Sequence, residues 1–209
     1  MRPDTFPIPA RPSLTSLRLL AGLSLALLAS TAAQAHAGAE TLQGGFLAGF
    51  LHPVLGWDHV IAMVAVGLWG AFLGMPAIWL LPVVFPTVMA LGGALGVAGI
   101  PLPGVETGIA LSAIVLGGMI AAAARPPLAV AAVIVGAFAV FHGHAHGTEL
   151  PQAANALAFS AGFVIATGLL HLGGIAFGLL VRWPAGRLAV RAAGGLIALL
   201  GLGFLTGLL

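Results

Sequence analysis

The chain has 209 residues, of which 60% are hydrophobic and 6% charged, with a formal net charge of +2. A soluble domain carries about 25% charged residues, so this composition excludes a water-soluble globular protein and indicates an integral membrane protein. Cysteine and lysine are both absent, which removes disulfides, thiolate metal sites, cysteine nucleophiles and the P-loop lysine. The basic balance comes from seven arginines against five acids. They sit at span ends and form no basic patch, so no nucleic-acid partner is expected.

In chain order, residues 1–35 read as a secretory signal. Arg2, Arg11 and Arg18 supply the positive start, residues 19–29 the apolar core, and Ala33-Gln34-Ala35 the cleavage site. The apolar run is shorter than the ~20 residues a span requires. The mature chain, 36–209, is expected to be one all-α domain, a polytopic bundle of six transmembrane helices. The spans are placed at 44–74 (long and interrupted), 76–98, 104–124, 127–147, 154–181 and 188–208. Short connections make neighbouring helices antiparallel. Cleavage puts the mature N-terminus outside, and Arg125, Arg182, Arg187 and Arg191 then all fall on the cytoplasmic side, as the positive-inside rule requires. Both mature termini are therefore expected in the periplasm, with the protein in the cytoplasmic membrane. Glycines at spacing four, Gly45/Gly49, Gly70/Gly74, Gly92/Gly96 and Gly174/Gly178, read as helix-packing positions that would also serve a homo-oligomer. Gly56, Gly143 and Gly147 lie inside histidine motifs, where glycine lets the backbone bend or a ligand approach closely.

The first motif is His52-Pro53-Val54-Leu55-Gly56-Trp57-Asp58-His59. On a continuous helix His52 and His59 share a face, about two turns apart, with Asp58 about 100° round from His59. Pro53 and Gly56 weaken that helix, so a short or re-entrant piece is expected before a regular span from Trp57. The second motif is Phe141-His142-Gly143-His144-Ala145-His146-Gly147-Thr148-Glu149. His142 and His146, at i and i+4, share a face that Glu149 continues, and His144 points elsewhere, as a direct or orienting ligand. By the topology above, both motifs lie at the outer side. His171 lies deeper, in the fifth span, as a candidate exit ligand or an interhelical hydrogen-bonding residue. His36 would combine a terminal amine with an imidazole, the alternative being an ordinary residue after a cleavage site. Glu106 reads as a solvated helix-end residue.

Ionisable side chains within a bilayer are unfavourable and mark functional sites. Imidazole with carboxylate is a ligand set for nickel, cobalt or zinc. The candidate metal ligands are thus His52, Asp58, His59, His142, His146, Glu149, His144, His171 and His36. One reading is a secondary carrier of a divalent cation, with no tightly bound cofactor, the ion being cargo. Metal competes with protons for imidazole, so transport is expected to weaken below pH ~6.5. The alternative is an intramembrane zinc-dependent hydrolase with Glu149 as general base. A third is an accessory role handing metal to a cytoplasmic chaperone, although the short inner loops offer little surface for it.

The two motifs resemble those of the HupE/UreJ family of hydrogenase- and urease-associated membrane proteins. The pattern H-P-x-x-G-x-D-H matches His52, Pro53, Gly56, Asp58 and His59, and F-H-G-x-A-H-G-x-E matches Phe141, His142, Gly143, Ala145, His146, Gly147 and Glu149. The signal, the His-Ala-Gly start and six spans are also similar. The resemblance implies a nickel permease, cobalt being the known variation, with the motif histidines, Asp58 and Glu149 as binding residues. Neither composition nor spacing selects nickel.

Overall fold

The structure, a computed structural model, describes residues 45–149 and 156–209. The expected signal segment and His36 lie outside the described residues. Those residues form α1 (Phe46–Leu55), α2 (Trp57–Leu73), α3 (Ala77–Val97), α4 (Val105–Ala121), α5 (Leu128–Glu149), α6 (Ala156–Gly178) and α7 (Pro184–Thr206), with a 3-10 turn at Leu179–Arg182 and no strand among them. The protein is therefore all-helical over the described chain. Four helices are long and apolar enough to cross a membrane, and the bent pair α1–α2 makes a fifth candidate. At 17 residues α4 is about 25 Å long, below the ~30 Å hydrocarbon thickness.

The helices fall where the apolar runs place them, with two informative differences. The last begins at Pro184, four residues before the expected 188, because proline is well suited to the first helical position. The fourth expected span ends at 147, whereas α5 continues to Glu149 and keeps that carboxylate on the helix of His146. At the first motif the chain breaks at Gly56, whose φ of −85° and ψ of 108° are extended, and α1 meets α2 at 82°. Pro53, without an amide proton, weakens the last turn of α1. The regular helix starts at Trp57 as expected, but His52 and His59 do not lie two turns apart on one face. They approach from the two arms of an elbow, with ring centroids 6.3 Å apart, rather than the roughly 10 Å that seven helical residues would span.

The core centres on α2, where Ala62, Met63, Ala65, Val66 and Trp69 are completely buried. The outer helices turn large apolar side chains outward, among them Val133, Leu188, Leu196 and Leu199. An apolar surface of that kind suits lipid rather than water. Three helix pairs pack most extensively: α3 with α5, α4 with α7, and α2 with α6. Glycines allow the approach, since a Cβ at Gly67, Gly92, Gly143, Gly147 or Gly174 would collide with backbone across the pair. Gly143 and Gly147, read above as bending or ligand-facing positions, in fact face the α3 backbone at Met89 and Gly93. Conversely, a Cβ at Gly45 or Gly74 would meet nothing within 4 Å, so these two are not packing positions. Gly74 instead holds a turn at φ +87°.

Gly92 lies against Val140 and Gly96 against His144, so α3 and α5 run the same way. Gly117 meets Ala198 and Gly194 meets Ala121, so α4 and α7 run oppositely. One end of the bundle thus gathers the starts of α2, α4 and α6 and the ends of α3, α5 and α7. The opposite end carries every arginine of the described residues. There Arg191 donates to the Ala121 carbonyl at 2.8 Å, and the Arg125 guanidinium lies 4.7 Å over the Phe72 ring.

Candidate metal centre

Two sequence segments separated by more than eighty residues meet at the first of these ends. The elbow at Gly56 brings His52 from α1 and the Asp58–His59 pair from α2. The last turns of α5 bring His142, His146 and Glu149 on one face, as i, i+4 spacing requires. The His146 ring centroid lies 4.9 Å from that of His52 and 4.5 Å from that of His59, and His59 lies 5.2 Å from His142. All six side chains thus form one continuous cluster.

Its outer part is a three-ligand group. His52 Nε2 lies 3.1 Å from His146 Nδ1 and 3.0 Å from Glu149 Oε2. Ligand atoms of His52, His146 and Glu149 all lie within 4.8 Å of one another. Three ligand-type atoms thus converge on one spot; without an ion, a proton on His52 Nε2 serves the other two, and an ion there would replace it. Ligands ~2.1 Å from an ion, at 90–109° to each other, are separated by about 3.0–3.4 Å. The two observed separations fit an edge of such a polyhedron. His52 and Glu149 are partly open, with side chains 32% and 56% accessible, so the group is reachable from the end of the bundle.

The inner part is organised by hydrogen bonds that fix each ring. His59 Nδ1 donates to Asp58 Oδ1 at 2.7 Å, and the same oxygen accepts the His59 amide at 2.9 Å. That carboxylate holds the proton on Nδ1 and turns Nε2 inward, the usual way in which an acidic partner orients an imidazole for metal. His142 is wholly buried, and its Nε2 lies 3.0 Å from Ser112 Oγ of α4. His59 Nε2, His142 Nδ1 and His146 Nε2 are buried and have no hydrogen-bond partner. Buried polar atoms of that kind are rare in native proteins and call for an explanation. Unpaired imidazole nitrogens on neighbouring rings are the kind of ligand that a borderline cation would satisfy.

Aromatic rings wall the cluster. Phe163 of α6 lies 4.4 Å from His146 and 6.1 Å from His52, Phe159 lies 5.7 Å from His52, and Phe85 of α3 lies 5.5 Å from His142. Such walls exclude water and strengthen polar interactions inside. Between α3, α5 and α6 an apolar cleft of about 480 Å³ borders His146, Phe159 and Phe163.

The remaining expected ligands lie elsewhere. His144 faces away on α5, with Nε2 2.8 Å from the Ile100 carbonyl of the α3–α4 connection. There it pairs a loop carbonyl and reaches neither part of the cluster. His171 is buried in α6, its ring centroid 5.7 Å from that of Phe85, and its Nε2 has no partner. One turn earlier, Thr167 Oγ1 is also buried and unpartnered. Glu106 is exposed at the start of α4. Sequence reasoning missed Ser112, Phe159 and Phe163. A serine or phenylalanine in an apolar helix carries no signal of its own, and only the packing of α4 and α6 against the motifs reveals these residues.

Long apolar helices enclosing imidazoles and carboxylates at one end define a polytopic membrane protein with a metal-ligand-type cluster in its helix bundle. The family model described as HupE / UreJ protein matches residues 23–204. Protein HupE of Rhizobium leguminosarum bv. viciae is 48% identical over 182 residues, covering 87% of this chain and 94% of that protein. The chain belongs to the HupE/UreJ family. No solved structure matches it.

Proposed function

We propose that this protein carries a divalent transition metal, Ni2+ foremost and Co2+ next, inward across the cytoplasmic membrane for a metalloenzyme, without ATP. The observation that carries this reading is the convergence of His52, His59, His142, His146, Asp58 and Glu149 into one cluster. The cluster lies at the end of the bundle opposite the arginines. If the arginine end is cytoplasmic, as the positive-inside rule favours, the cluster faces the outside and receives the ion there. In this reading α4 completes a sixth span, both mature termini are periplasmic, and residues 1–35 are removed as a signal. Two positive charges moving down ~100 mV release about 4.6 kcal/mol, enough for roughly a thousandfold accumulation.

The hydrolase alternative gains no support. Glu149, its required base, is engaged by His52, Asp58 is engaged by His59, and the family match adds no hydrolytic signature. The test is uptake of 63Ni at nanomolar metal by cells lacking their own nickel importers, with cobalt and zinc as competitors. Wild type is expected to accumulate nickel with cobalt the stronger competitor, and His146→Ala to abolish uptake at unchanged protein level. Well-inserted wild type without uptake, or His146→Ala with full uptake, would overturn the proposal.

A further inference from the structure

We infer that Ser112 is a positioning residue for the metal centre, locking His142 in the tautomer that presents Nδ1 as a ligand. Its place in the chain gives no hint of this. Ser112 lies on α4, outside both histidine motifs, and is completely buried, as is His142.

The hydroxyl has one proton and two neighbours. Ser112 Oγ lies 2.6 Å from the Ile109 carbonyl, one turn back on α4, and 3.0 Å from His142 Nε2. A carbonyl oxygen can only accept, and two oxygens 2.6 Å apart need a proton between them, so the hydroxyl donates to Ile109. It then has only lone pairs to offer the imidazole. His142 must carry its proton on Nε2 and donate it to Ser112, because the opposite tautomer would set two lone pairs against each other at 3.0 Å in a buried place. A neutral imidazole holds one N–H, so Nδ1 keeps its lone pair. That Nδ1 atom is buried and without a hydrogen-bond partner. Its ring is adjacent to His59, whose own free Nε2 is set by Asp58 in the corresponding way. Two histidines from different helices are thus each fixed through one nitrogen so that the other is available: His59 by a carboxylate, His142 by a backbone-anchored hydroxyl. Phe85 against the His142 ring limits its alternatives further.

The inference deepens the transport reading, and only its uptake arm rests on that reading. The full-length protein is reconstituted in lipid bilayers with 15N-labelled histidine. Solid-state NMR then reports which His142 nitrogen is protonated, with His142→Phe used only to assign the signal. Wild type is expected to show Nε2 protonated and Nδ1 bare. Ser112→Ala is expected to populate both tautomers and to lower nickel uptake ~10–100-fold at equal protein level, the usual effect of losing a partner that orients a metal ligand. Ser112→Thr, which keeps the hydroxyl, is expected to keep the single tautomer.

A wild-type proton on Nδ1 would overturn the inference outright. So would Ser112→Ala with an unchanged tautomer, whatever its uptake, since the loss would then be one of packing. A mixed tautomer with wild-type uptake would remove the role in transport. If wild type carries no nickel at all, the transport reading fails, while the tautomer measurements still decide the hydroxyl's part in holding His142.

Discussion

Replacing Gly56 by alanine tests whether the elbow itself makes the centre. The Gly56 backbone, at φ −85° and ψ 108°, is open to any residue, so alanine meets no torsional penalty there. The effect comes from its Cβ, which would lie 3.0 Å from His59 Nδ1, 3.1 Å from Asp58 Oδ1 and 3.5 Å from His59 Cγ. Ordinary contact begins at ~3.4 Å, so the Asp58–His59 pair must move by about 0.3–0.4 Å. Metal sites tolerate about 0.2 Å in ligand distance. Alanine is also ~1 kcal/mol better than glycine inside a helix, which biases the 82° break toward a continuous rod that would draw His52 from His59. Both effects oppose binding, and a 10–100-fold loss of nickel affinity, about 1.4–2.7 kcal/mol, is expected. Equilibrium binding to purified protein measures it, with Gly118→Ala as control, since a Cβ there meets nothing within 4 Å. Gly56→Ala with wild-type affinity would refute the close-approach argument.

Removing His144 separates its loop contact from metal binding. His144→Ala deletes the bond to the Ile100 carbonyl and should lower thermal stability by ~1–3 kcal/mol with nickel affinity unchanged, readable in melting and binding curves. Asp58→Asn keeps an oxygen beside His59 but removes the charge that fixes its proton. Nickel affinity should fall at least tenfold while stability changes little. Gly147→Ala drives a Cβ into the Gly93 backbone of α3, so it should reduce the amount of folded protein in the membrane, a loss visible by immunoblot before any transport assay.

Much of this arrangement is legible along the chain because membrane helices must be long, apolar and separated by short loops. The helix positions follow from that, and the i, i+4 pair His142–His146 follows from helical period alone. Periodicity says which side chains share a face, but not which neighbour that face meets. Hence Gly143 and Gly147 read as positions for a bend or a close ligand approach, although they sit against the α3 backbone. His144, separable by period from its neighbours, has a partner visible only once the Ile100 loop is in place. The elbow was signalled by Pro53 and Gly56, but its angle was not, and that angle brings His52 beside His146 and Glu149. Ser112 is the least legible residue, since its chemistry arises entirely from contact between α4 and α5.

The glycine contacts have a mechanical corollary. Helices α2 and α6 are welded backbone to backbone, and α1 lies along α6. Helices α3 and α5 are welded likewise. The candidate ligands are divided between these two slabs: His52, Asp58 and His59 on one, His142, His146 and Glu149 on the other. Between α5 and its facing helices α2 and α6 the joint is made by the cluster's own rings rather than by close backbone approach. A slip along this seam would separate the two sets of candidate ligands, whereas a slip within a welded pair would force backbone atoms together. The slabs also meet where α2 packs on α3, so an ion held by both sets of candidate ligands would add a clasp at the cluster's end of the seam.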